Sequence, residues 1–243
     1  MRRRLAAPLI AALAVLVLAI HPASAYAASP TSPNWAGYVA QSGKPFTRVT
    51  GRWTEPTAQC GTSGSSVSAF WVGLDGYQDQ TVEQIGVQAK CTDGVASYYA
   101  WWQMWPSPYQ DLPVAEYPVR PADVMTASVS RSGDNYTLTL QSSAGWKFST
   151  VQTATAEDSS AEWIASSPRR CESCKYDLLA NFQQIGFTDA EAATTGPLRP
   201  VSTFTHGQGP VSLTMVDAAG TVRAQPGALD QWGGGFTVVW KHS

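Results

Sequence analysis

Hydrophobic and polar positions alternate with a period of two over most of the chain after residue 33. The clearest case is Ser68 to Gln88, S-A-F-W-V-G-L-D-G-Y-Q-D-Q-T-V-E-Q-I-G-V-Q. Two alternating runs joined by the polar turn D-G-Y-Q-D-Q predict a β-hairpin. Alternate side chains of a strand point to opposite faces. Phe70, Val72 and Leu74 therefore share an apolar face with Ile85 and Val87. Trp71, Gly73 and Asp75 share the other face with Gln84, Gly86 and Gln88. That second face mixes indole, amide, carboxylate and glycine, which suits a cleft lining better than a merely solvated surface.

The same alternation predicts further strands at Phe46 to Thr54, Ser97 to Trp105, Val124 to Ser130, Tyr136 to Gln141, Gly145 to Thr153 and Ser160 to Ser166. Others follow at Val201 to Thr205, Val211 to Val216, Thr221 to Ala224 and Phe236 to Lys241. In Ser97 to Trp105, Tyr99, Trp101, Gln103 and Trp105 share a face. In Ser160 to Ser166, Ala161, Trp163 and Ala165 oppose Ser160, Glu162 and Ile164. Cys171 to Pro200 reads as the longest irregular stretch, with a short strand at Leu178 to Phe182 and a short helix or loop at Asp189 to Ala193. Many short strands, frequent turns and no strong helix predict an all-β fold, an antiparallel β-sandwich of two large sheets of the concanavalin A-like or jelly-roll-like kind. If one sheet curves, the mixed face of the hairpin, the Tyr99–Trp105 face and Glu162 converge in a groove on its outside.

The first residues change the picture of where the protein works. M-R-R-R, an apolar run from Leu5 to Ile20 and small residues at Ala23 to Ala27 make a secretory signal peptide over residues 1–27. Residues 28–33 read as a short linker and 34–243 as one domain. The expected product is secreted, with no membrane attachment once the leader is gone. The leader removes Arg2, Arg3 and Arg4 and no acid, leaving 13 of the 16 basic residues against 18 acidic ones, a net charge of −5. Nothing there forms an electrostatic footprint for nucleic acid. Charged residues make up 14%, against about 25% in an average domain, so few salt bridges exist to lose in acid.

Four cysteines, Cys60, Cys91, Cys171 and Cys174, in an exported chain imply two disulfides. Of three pairings, Cys60–Cys91 with Cys171–Cys174 closes two local loops beside the sheet. The rival is a zinc site of four cysteines, for which a second C-x-x-C is missing.

Several standard sites are absent: the G-x-S-x-G elbow, H-E-x-x-H and a phosphate loop. After the leader only His206 and His242 remain, one in a loop and one in the tail, so a Ser–His or Cys–His enzyme does not fit. Glu162 is the one carboxylate on a strand among small and aromatic neighbours. Asp79, Asp93, Asp111, Asp134, Glu157 and Asp158 read as solvated loop charges, and Glu83 points away from Gln84.

The segments N-W-A-G-Y, F-W-V-G-L-D-G, E-Q-I-G-V-Q, Y-A-W-W-Q-M-W-P and A-E-W-I, in that order, resemble the glutamic peptidases, or eqolisins, in a bacterial-type form. The resemblance implies a two-sheet β-sandwich and an acid-active endopeptidase acting on polypeptides, insensitive to pepstatin, with no cofactor, as a monomer. It places the catalytic pair on Gln84 and Glu162, and Trp71, Asp75, Trp101 and Gln103 at the substrate. Fungal members carry acids where this chain has Gln103 and Gln88, and long pro-segments that it lacks. In the implied mechanism Glu162 takes a proton from water and returns it to the leaving amine, while Gln84 donates to the oxyanion. An optimum near or below the ordinary glutamate pKa of about 4.3 is expected. The aromatic groove also admits a carbohydrate-binding or glycoside-hydrolysing sandwich. The latter needs two carboxyls, and Asp75 is the only candidate partner for Glu162. The third alternative is a family member that has lost activity, which the substitution at Gln103 leaves open.

Overall fold

The computed structural model describes residues 30–169, 174–207 and 209–243. The expected leader, residues 1–27, lies outside them, as does Cys171 of the expected Cys171–Cys174 pair.

Sixteen strands and one 3-10 turn at Val201–Thr203 make up the regular structure of the described residues. In chain order the strands are β1 (Thr31–Ser32), β2 (Trp35–Gln41), β3 (Arg48–Thr54), β4 (Ser65–Leu74), β5 (Val82–Thr92), β6 (Val95–Trp105), β7 (Gln110–Asp111) and β8 (Val124–Ser132). They continue with β9 (Asn135–Ser142), β10 (Lys147–Thr153), β11 (Ser160–Ser166), β12 (Gln184–Ala193), β13 (Arg199–Pro200), β14 (Val211–Val216), β15 (Val222–Pro226) and β16 (Phe236–Trp240).

One leaf of the sandwich runs β10-β9-β8-β3-β12-β16-β15-β14 and the other β14-β2-β11-β4-β5-β6-β7. The two leaves are continuous through β14. Its Val211–Leu213 half pairs with β2, and its Met215–Val216 half pairs with β15 across an irregularity. A strand that changes sheets in this way makes the corner of a sandwich.

The alternation seen in the sequence decides which face is inside. Phe70, Val72, Leu74, Ile85, Val87, Trp163, Val49, Trp53, Met125 and Leu138 all belong to the core between the leaves. Trp163 reaches across to the other leaf: its indole N–H donates to the Thr50 carbonyl at 2.6 Å. Gly51 makes room for it, since a Cβ there would sit 2.7 Å from Trp163 Cδ1 and 2.9 Å from Val72 Cγ1.

Four expectations are corrected. Val201 to Thr205, expected as a strand, opens instead with the 3-10 turn Val201–Thr203. Asp189 to Ala193 is neither helix nor loop but the end of β12, which pairs with β3 and β16 in the middle of its leaf. A register shift between Thr188 and Glu191, with Asp189 at φ 50°, breaks the alternation there and hides the strand. Leu178 to Phe182 contributes only isolated bridges, Leu179 to Val67 and Asn181 to Gln59. Thr31 and Ser32, expected in a linker, form β1 and pair in parallel with β14. The Cys60–Cys91 disulfide is formed, with 5.3 Å between Cα atoms.

Candidate active site

On the outer face of the second leaf, register brings the expected residues into one row. Glu162 of β11 lies opposite Gly73 of β4, Gly73 opposite Gln84 of β5, and Gln84 opposite Gln103 of β6. Strands lie about 4.8 Å apart, so the Cα atoms of Glu162 and Gln84 are roughly 10 Å apart with a glycine between them. Gly73 keeps that gap open. A Cβ there would come within 3.0 Å of the Trp71 ring and 3.3 Å of Gln84 Cβ. The next row is Ile164, Trp71, Gly86 and Trp101. A Cβ on Gly86 would meet Trp71 Cβ at 2.6 Å, so that glycine seats the indole.

Around these rows a second apolar cluster forms outside the sandwich. It holds Val39, Ala69, Trp71, Val82, Trp101, Ile164 and Leu213, flanked by Trp35, Tyr77, Trp105 and Tyr109. Beside it opens a cleft of about 440 Å³ lined by Gln84, Gln103, Trp71, Trp35, Tyr77, Asp79, Trp105, Tyr109, Arg169 and Tyr176, among others. Glu162, expected in the groove, is not among the residues that line it, and neither is Trp101. Trp101 is buried, edge-on to Tyr109, which is.

Gln84 has a fixed orientation. Its amide nitrogen donates to Gln103 Oε1 at 2.9 Å, and the Gln103 amide nitrogen donates to the Ser107 carbonyl at 2.8 Å. The Ser107 carbonyl can only accept, so Gln103 must present its own carbonyl to Gln84. One N–H of Gln84 is used and its second is left for the cleft. Gln103 thus orients Gln84 while also lining the cleft.

Glu162 is fully buried, and neither carboxyl oxygen has a hydrogen-bond partner among the described residues. Burial holds its pKa well above the usual carboxylate range, and the charges of Asp75, Asp79 and Glu83 push the same way. The nearby Ser160 hydroxyl works the other way, second only to burial, and favours the ionised form, although it closes no hydrogen bond of good geometry. In the fold at acid pH, Glu162 is therefore a neutral acid.

The turn between β4 and β5 is tied to the segment entering β11. Asp75 is buried at φ 64° and accepts from the backbone N–H groups of Asp158 and Ser159 at 2.7 and 2.6 Å. Asp79 accepts from Gly76 N–H at 2.7 Å and Thr81 N–H at 3.3 Å, and from the Ser159 hydroxyl at 2.7 Å. Asp75 was expected to meet substrate; its place is instead to hold the Gln84 hairpin against the Glu162 strand. With both oxygens committed, it is also a poor second carboxyl for a glycosidase.

Sequence reasoning missed the depth of the acidic groups. Asp158, read as a solvated loop charge, is buried, accepts from the Tyr136 hydroxyl at 2.8 Å and pairs with Arg131 at 2.7 Å. Glu83, on the core side behind Gln84, is buried with one oxygen unpartnered, and burial followed by the charges of Asp75, Asp158 and Asp79 pushes its pKa up to about 9. Glu55, in the connection between β3 and β4, is buried with its pKa pushed up to about 8, chiefly by desolvation. The signal available was slight: Glu83 occupies an inward position of an otherwise apolar strand face.

Comparison with known proteins gives the family and the fold. The peptidase A4 family model matches residues 33–218. Aspergillopepsin-2 of Aspergillus niger is 30% identical over 188 residues, 68% of this chain and 66% of that protein, so the match spans slightly less than two thirds of the relative's length. Scytalido-glutamic peptidase, solved with a transition-state analogue inhibitor, superposes with a TM-score of 0.72 at 20% identity, covering 86% of this chain and 98% of that one. Aspergilloglutamic peptidase from Aspergillus niger gives 0.61 at 21% identity, over 72% and 99%. These structural likenesses carry the two-leaf fold, and with the family match they show that the chain belongs to the peptidase A4 family, the glutamic peptidases or eqolisins.

Proposed function

We propose that the protein is an exported endopeptidase that hydrolyses peptide bonds in acid, with Gln84 and Glu162 as its catalytic pair. The observation that carries this reading is the shared row: Gln84, its amide oriented by Gln103, and Glu162 flank Gly73 on one sheet face. The leader-like first 27 residues and the Cys60–Cys91 disulfide support export.

The substrate carbonyl oxygen sits against the second N–H of Gln84. A water over Gly73 gives a proton to the ionised form of Glu162 as its oxygen bonds to the carbonyl carbon. The resulting oxyanion is held by Gln84, which cannot titrate in this range. Glu162 then passes the proton to the amide nitrogen, the C–N bond breaks, and the carboxylate is regenerated. Burial makes the ionised carboxylate a stronger base than an exposed glutamate. The acid limb of kcat/KM accordingly follows Glu162 ionisation above about 4.3, the value of a free glutamate, which revises upward the optimum expected from sequence.

The test is digestion of casein followed from pH 3 to 7 with pepstatin present, with the rate rising as Glu162 ionises. Glu162→Gln should abolish turnover. Gln84→Ala should lower kcat by about 10²–10³, the usual effect of losing one oxyanion donor. Undiminished cleavage by both variants would sink the assignment.

A further inference from the structure

On the outer face of the second leaf, the positions next to Glu162 are Val39 of β2 and Gly73 of β4 across the strands, and Ser160 and Ile164 along β11. Ser160 alone among them carries a polar side chain. It is fully buried, as Glu162 is, and its hydroxyl has no hydrogen-bond partner among the described residues. Both Glu162 carboxyl oxygens share that condition. Buried polar atoms almost always find a partner, and a serine hydroxyl swings about one bond to suit its surroundings. The Cα atoms of successive same-face positions lie roughly 7 Å apart, a gap that the longer glutamate side chain spans. Rotation of the hydroxyl therefore lets these two unpartnered groups satisfy each other.

The main chain holds Ser160 in place. Its carbonyl accepts from the Asp75 N–H at 3.1 Å, while the Asp75 carboxyl binds the N–H groups of Asp158 and Ser159 just before it. The serine thus sits at the joint where the Gln84 hairpin meets the Glu162 strand. Acidic groups face Glu162 from the other elements, Asp75 and Asp79 from the turn between β4 and β5 and Glu83 from β5. The guanidinium of Arg131, on β8, is engaged by Asp158 at 2.7 Å. Burial and the acidic charges oppose ionisation of Glu162, and the Ser160 hydroxyl is the group that favours it.

We propose that Ser160 is a positioning residue for Glu162, its hydroxyl donating to the carboxyl when that is ionised and accepting from it when protonated. This rests on the peptidase reading above. A hydroxyl has one proton to give and two lone pairs, so it can serve both halves of a reaction in which Glu162 takes up a proton and returns it. Donation to a carboxylate is charge-assisted and about twice as strong as a bond to a neutral group, so the balance favours the ionised base. Ser160 is not among the residues lining the cleft and acts on the reaction through Glu162.

The test is the pH profile of kcat/KM on a peptide substrate. In Ser160→Ala the acid limb should move up by about one pH unit, the difference between a charge-assisted and an ordinary hydrogen bond, and the rate on that limb should fall about tenfold. Ser160→Thr and Ser160→Val share a shape and differ in the hydroxyl, so the threonine variant should keep its limb about one unit below that of the valine variant. The position of a limb does not depend on how much enzyme is folded, so partial loss of a variant leaves the reading intact. Where Glu162→Gln abolishes cleavage, an equal loss at every pH with the limb unmoved in Ser160→Ala means that the serine only fills space, and overturns the proposal. A second reading needs no catalysis. The Glu162 carboxyl is followed by NMR in protein carrying isotope-labelled glutamate, its signal identified by its loss in Glu162→Gln. The titration midpoint should rise in Ser160→Ala by the same amount, and an unchanged midpoint overturns the proposal. Cleavage surviving in Glu162→Gln would sink the catalytic pair, while the NMR midpoint still judges Ser160.

Discussion

At the scale of single residues, Gln103 is the most informative position. Its carbonyl receives Gln84 and its amide is spent on Ser107. Neither bond changes with pH, so Gln84 is aimed at the cleft whatever the acidity. Gln103→Glu would imitate this only while protonated, since a neutral carboxyl can donate to Ser107 and accept from Gln84. Once ionised, the new carboxylate would face the Ser107 carbonyl in a buried place. Its activity should match the wild type near pH 3 and fall below it as pH rises, read as kcat against pH. Gln103→Leu should lower kcat at every pH by about tenfold, the effect of one lost hydrogen bond of about 1–1.5 kcal/mol. The residues of this relay were visible in the sequence as polar positions on one strand face. Their direction was not: only the Ser107 carbonyl, in a loop after β6, decides which way each amide turns.

At the scale of elements, the strands that carry the site were legible because each keeps strict alternation. β4, β5, β6 and β11 pair without a register shift, so apart from Glu83 and Val82 the structure places their faces as the pattern does. β12 was not legible, because its bulge at Asp189 swaps the faces midway. The buried acids were misread for a related cause. Asp158 lies in a connection, and what buries it is the hairpin turn of Asp75 from 83 residues away. Packing between leaves also reaches the site. Gly51 on β3 admits Trp163, which adjoins Glu162 in β11. Gly51→Ala would force a methyl into atoms 2.7 and 2.9 Å away. Overpacking of this kind costs about 1–3 kcal/mol. Thermal unfolding should show a lower Tm, and activity should fall with it because β11 must shift. An unchanged Tm would mean the indole moves aside freely, against its anchor on Thr50.

At the scale of the whole molecule, buried carboxyls set the pH range in which the fold survives. Burial, the largest cause in each case, pushes Asp75 up to about 6, Glu55 to about 8 and Glu83 to about 9, and raises Glu162 well above its ordinary value. Each is protonated in the fold but ionised in the unfolded chain above its ordinary pKa near 4. The fold then binds more protons than the unfolded chain, so stability falls as pH rises. Their stabilising effect is complete below about pH 4 and is lost stepwise up to about 9, each group removing at most about 1.4 kcal/mol per pH unit within its own window. Acid removes little in return. The close ion pair of the buried region among the described residues is Arg131 with Asp158, and burial raises even that carboxyl. Tm should therefore be highest near pH 3–4 and decline steadily through neutrality. Glu83→Gln keeps the size and neutrality of the protonated side chain. It should leave Tm near pH 3 almost unchanged and raise it at pH 7–8, flattening the curve, because one ionisation is deleted and Asp75 and Asp158 lose a neighbouring charge. A scan of Tm from pH 3 to 8 on both proteins decides the matter. A wild-type Tm that rises toward neutrality, or two parallel curves, would show that these carboxyls are already ionised and accommodated in the fold.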